Sequence, residues 1–258
     1  MRNIRAVAAN TFREAVRDRV LYNLVFFALL MMGAAILVGQ ISIGIERDVI
    51  ISLGLTAISV VGILIAVFLG VALVSKEMDK RTLYALLAKP VRRWEFLLGK
   101  FCGLVMTLAV NTAAMALGLY AALWTVQHRF EKSDVYILVA VFLILLKLAV
   151  IVALALLFSC FTTPFLAILF TAGLYVAGLF ATDLRAVRAV QLDTSTLKLM
   201  RGLSNVLPNF QNFNVMGAVV HGRGVPGAFV GYATLYALLY IAIVLLGATA
   251  VFSRRNLK

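Results

Sequence analysis

Side chains able to do covalent or metal chemistry are few in this sequence and poorly placed for it. Cys102 and Cys160 stand at the edges of apolar runs, with no CxxC spacing and no histidine close in sequence. Neither a disulfide framework nor a zinc site is indicated. His128 and His221 are too far apart in sequence to argue a metal site. There is no Ser-His-Asp set, no paired carboxylates and no H-E-x-x-H. A G-x-x-x-x-G-K-[ST] phosphate loop is missing too, since Gly99-Lys100 is followed by Phe101 and position 94 is Trp94 rather than glycine. The chain is expected to catalyse nothing and to bind no metal or cofactor itself.

What remains is polar chemistry in unusual settings. Lys147 breaks an otherwise uncharged run at 135–163. An ammonium at the centre of a bilayer costs several kcal/mol, so it should face a bundle interior, snorkel or pair. Asn111 falls near the middle of the preceding apolar run. At about 1.5 Å per residue, Asn111 lies roughly 15 Å deep and Lys147 roughly 20 Å, close enough to meet directly or through water. They are candidates for a polar translocation path. A purely structural lysine, bonded to carbonyls or snorkelling, is the plainer alternative. Gly99 and Gly103 form a G-x-x-x-G, a spacing that lets helices approach closely.

The charge-rich stretch Ser75–Lys100, SKEMDKRTLYALLAKPVRRWEFLLGK, carries seven basic and three acidic residues. Glu77 can pair with Lys80 and Arg81 at helical spacing, Leu83, Leu86 and Leu87 make an apolar stripe, and Pro90 stops the helix. Such a short helix can dock into a groove on a cytoplasmic partner. A solvated loop whose charges only fix topology suits the same periodicity equally well.

The elements that must position these residues are membrane helices. Of 258 residues, 63% are hydrophobic and 14% charged, with a mean hydropathy of +1.02; a soluble domain is roughly 45–50% apolar and about 25% charged. A bilayer core of about 30 Å needs roughly 20 apolar helical residues, and backbone in lipid must satisfy itself internally. Spans are expected at about 20–40, 51–75, 97–126, 134–160, 164–182 and 229–252. The fold class is thus all-α integral membrane, with six transmembrane helices in a single domain over 1–258.

The net charge is +13, but the basic residues cluster between apolar runs and do not spread over a nucleic-acid-binding face. With the N-terminus in the cytoplasm, 15 Lys/Arg fall inside and 8 outside. Both termini are then cytoplasmic, the 76–94 segment is cytoplasmic, and 183–228 is an outer loop. Residues 1–19 read as a retained amphipathic helix at the inner interface: Ile4, Val7, Ala8, Thr11, Phe12 and Ala15 share one arc, and Arg2, Arg5, Arg13 and Arg17 the other. In the outer loop, apolar sets on either side of Pro208 suggest short amphipathic helices on the membrane surface.

Glu77, the basic pair Lys80-Arg81, Thr82-Leu83, Leu86-Leu87, Pro90, Arg93 and Gly99-Lys100 together resemble the cytoplasmic loop of ABC-2 type transporter permeases. The likeness is to six-helix permeases that work with a separately encoded ATPase. The basic amphipathic N-terminus, the long loop before the last span and the chain length agree with it. The resemblance implies that a coupling helix at 76–90, with Glu77, Asp79, Lys80, Arg81, Thr82, Leu83, Leu86 and Leu87, engages an ABC ATPase subunit that supplies the ATP and Mg chemistry. It also implies pairing with a second copy or a similar permease, a prokaryotic inner membrane, and export rather than import. The rival readings are an ATP-independent secondary transporter or channel, and a membrane component that transmits force to an outer partner. No intramembrane carboxylate supports a proton-coupled mechanism.

Overall fold

A computed structural model describes residues 2–41, 44–79, 92–127, 131–180 and 207–254. Within them every regular element is helical: α1 (Arg2–Val16), α2 (Arg19–Ile41), α3 (Glu46–Asp79), α4 (Arg93–Gln127), α5 (Val135–Ser159), α6 (Pro164–Leu179), α7 (Met216–Val220) and α8 (Gly227–Arg254). Single 3-10 turns at Lys132–Asp134 and Phe210–Phe213 join them.

The expectation of six transmembrane helices is corrected. Among the described residues four helices, not six, are long and apolar enough to cross a membrane: those over Glu46–Leu73, Arg93–Val126, Val135–Ser159 and Gly227–Ser253. The proline at the first position of α6 sets its start, where a missing N–H does no harm, and the helix ends at Leu179. Its 16 residues reach only about 24 Å at 1.5 Å each, short of the roughly 30 Å hydrocarbon core. The apolar part of α2 is Leu24–Gly39, no longer than α6. The expected span at 164–182 ran past the end of α6 at Leu179, whereas α2 covers 20–40 and only its apolar part, between polar Asn23 and Gln40, is short.

The long helices form the core, and the two shorter apolar ones pack against it. α3 is central, touching α2, α4, α5 and α6. It packs closely on α5 at Gly62, where an added Cβ would sit 2.6 Å from Leu148 Cδ1, and at Gly70, where one would sit 3.0 Å from Ala155 Cβ. α1 lies against the first turns of α4, burying Ala8, Thr11 and Ala15 and leaving Arg5 and Arg13 exposed, so the apolar arc read from the sequence is the face turned to α4. The segment after the long loop folds back on the bundle, with Phe210, Phe213 and Val219 buried. Residues 181–206 of that loop lie outside the described residues.

Candidate functional site

Three polar clusters sit at three levels of the bundle. The first is at the end where α3 stops and α4 begins. Lys100 is only 1% exposed, although it follows a charged stretch. Its Nζ lies 3.9 Å from Glu14 Oε2 of α1, donates to the Leu73 carbonyl of α3 at 3.4 Å, and stands 5.9 Å from the Phe96 ring centroid. Packing makes this possible: a Cβ on Gly99 would meet Val7 Cβ at 2.6 Å, and one on Gly103 would meet the Ala8 carbonyl oxygen at 2.6 Å. The G-x-x-x-G therefore serves α1, and only glycine lets its backbone come so near. Asn3 donates to Glu95 Oε2 at 3.3 Å, and the same oxygen accepts from the Arg92 amide. Arg93 donates to the Phe252 and Ser253 carbonyls at 2.6 and 3.1 Å, which fastens the end of α8 to the same corner.

Glu77 and Asp79 lie on the last turns of α3, next to this junction in the chain. Lys80, Arg81, Thr82, Leu83, Leu86 and Leu87 lie outside the described residues.

The second cluster is at the opposite end. Arg47, at the start of α3, meets Asp134 Oδ1 at 2.8 Å and Glu131 Oε2 at 3.6 Å, and donates to Ser133 Oγ at 2.9 Å. It also reaches the Val220 carbonyl at 3.4 Å. Asp134, its side chain only 4% exposed, holds the Glu131 amide through its other carboxylate oxygen, while its carbonyl accepts from Tyr120. His221 Nδ1 lies 3.7 Å from Asp48 Oδ2. This network clasps α3, α4, α5 and α7 together; sequence counting had given Arg47 only a topological role.

The third cluster is midway along α5. Lys147 Nζ donates to Ser59 Oγ of α3 at 2.6 Å, beside the Gly62 approach. Asn111 is buried and donates instead to Thr107 O on its own helix at 3.0 Å. The structure does not join the two residues proposed as a polar path: each has its own partner. Lys147 and Ser59 instead line a cavity of about 170 Å3, along with Tyr175 of α6 and Gln211 and Asn214 from the folded-back segment. These last three had no sequence signal, because the folded-back segment that carries Gln211 and Asn214 is distant in the chain from Tyr175 and Lys147, and none stands out in an apolar run.

No catalytic geometry accompanies the clusters, and among the described residues no group of three or more His, Cys, Asp or Glu side chains could hold a metal ion. Cys102 is exposed and Cys160 buried, and neither is in a disulfide. Residues 5–257 match the family described as ABC-2 family transporter protein. The chain belongs to the ABC-2 family. It is accordingly the membrane-embedded permease of a transporter, a non-catalytic subunit. No curated protein matches the chain. In this ABC-2 permease the long apolar helices are the membrane part, and the Lys100 junction sits where the charged 80–91 stretch leaves and rejoins them.

Proposed function

We propose that this permease works with a separately made ABC ATPase, which docks on the 76–90 segment, and that it exports its cargo. On this reading the Lys100 end faces the cytoplasm of a prokaryotic cell, both termini lie on that side, and two copies, or this chain and a similar one, enclose the route. Family membership, the lack of a phosphate loop in the sequence and the excess of Lys/Arg flanking the Lys100 end all support it. The single observation that carries it is the Lys100 junction. There one buried ammonium faces the carboxylate of α1 and a carbonyl of α3, the helix that runs into the docking segment. A push on that segment would be felt by α1, α3 and α4 together, because they are fastened at one point.

Purification of the tagged chain in mild detergent from cells expressing its native partners tests this. A stoichiometric ATPase is expected, lost when Glu77 and Arg81 are charge-reversed. A chain that purifies alone and without ATPase activity would instead favour an ATP-independent transporter or channel.

A further inference from the structure

The cavity beside Lys147 plays no part in the coupling reading. At about 170 Å3 it is close to the size of cavity known to accept one benzene-sized guest. It has room for a headgroup and a few carbons, not for a whole lipid. Among the described residues charge in its wall is one-sided: Lys147 is present, and no aspartate or glutamate lines it. Among the described residues the ammonium has no carboxylate partner, and its hydrogen bond goes to the neutral Ser59 hydroxyl. That bond satisfies a donor but cancels no charge. In a low-dielectric setting an uncancelled charge attracts an anion far more strongly than it would in water.

The other polar groups of the wall, Tyr175, Gln211 and Asn214, are neutral. They can hydrogen-bond an oxyanion without repelling it. Phe210 and the aliphatic side chains around it supply an apolar remainder, which favours a ligand with carbon next to its charge.

We propose that this cavity binds the anionic headgroup of an amphiphilic molecule, with Lys147 as its charge partner and Ser59, Gln211 and Asn214 as neutral hydrogen-bonding groups. Naming that amphiphile as cargo rests on the transport reading above; the binding itself does not.

The test uses the full chain in a neutral maltoside detergent, without any ATPase, and follows thermal unfolding. Octyl phosphate is expected to raise Tm saturably, whereas inorganic phosphate and an octyltrimethylammonium salt leave it unchanged. Lys147→Gln should weaken the octyl phosphate response at least tenfold, and Lys147→Arg should retain it within about threefold. A response of equal affinity in Lys147→Gln, or to the cationic amphiphile, overturns the site. Equal binding of inorganic phosphate overturns the amphiphile. Should Lys147→Gln fail to fold, the double variant Gln211→Leu/Asn214→Leu keeps the charge and must weaken binding several-fold; unchanged affinity there also overturns the site. Absence of octyl phosphate binding alongside a co-purifying ATPase would sink this inference and spare the transport reading. Binding without any ATPase partner would do the reverse.

Discussion

Lys100 and Lys147 both hold an ammonium inside long apolar helices, and they are treated in opposite ways. Lys100 faces a carboxylate, a backbone carbonyl and an aromatic ring, each from a fixed place in α1, α3 and α4. Lys147 has one neutral hydroxyl and an adjoining space. A charge hemmed in by partners ties elements together, and removing it breaks the tie. A charge with an open side contributes little to holding the fold and is available to something else. The contrast is one of surroundings, since the side chains are identical.

The hardest blow to this contrast comes from the glycines that bring α1 up to Lys100. Gly103→Leu should cost about 3 kcal/mol, because overpacking against a backbone carbonyl has no cheap relief. It should detach α1, seen as faster tryptic cleavage at the exposed Arg13; unchanged cleavage would mean α1 is not held there. Lys100→Met should cost about 2 kcal/mol, less than the roughly 3–5 kcal/mol of breaking a fully buried pair, because Glu14 is 29% exposed. The readout is the unfolding midpoint in mixed micelles. Asp134→Asn removes the strongest contact of the Arg47 clasp and leaves Glu131 in place, so a loss of about 1–2 kcal/mol is expected in the same assay. Lys147→Leu should move stability by less than about 1 kcal/mol, and toward a gain, since a part-buried charge with no counter-charge among the described residues is replaced by an apolar group. Equal losses for Lys100→Met and Lys147→Leu would erase the distinction between the two sites.

Much of this was legible in the sequence, unevenly. The long spans were visible because lipid forces long apolar runs, and Lys147 was visible because it interrupts one. The length of α6 was misjudged, because an uncharged run says nothing about where the helical turns stop; α2 covers its expected span, and only its apolar part is shorter. The arc of Ile4, Val7 and Thr11 was recognised as one face, but what it faces depends on Gly99 and Gly103, about 90 residues further on. Lys100 read as the end of a charged loop, since no local pattern reveals that a lysine is enclosed by a distant helix. The cavity wall was illegible for the same reason: Ser59, Tyr175 and Gln211 meet only in three dimensions.

The seating of α1 on α4 also sets an order of assembly. α1 leaves the ribosome before α4, yet its site is complete only when the glycines of α4 have been made and the helix has entered the bilayer. At about 5–20 residues per second, α1 waits several seconds or longer without its partner. During that interval its apolar arc has to rest on something else, and the basic opposite face makes an anionic membrane surface the natural place. α1 is thus synthesised before α4 and secured only after it, so a slow or failed insertion of α4 would leave α1 exposed to proteases.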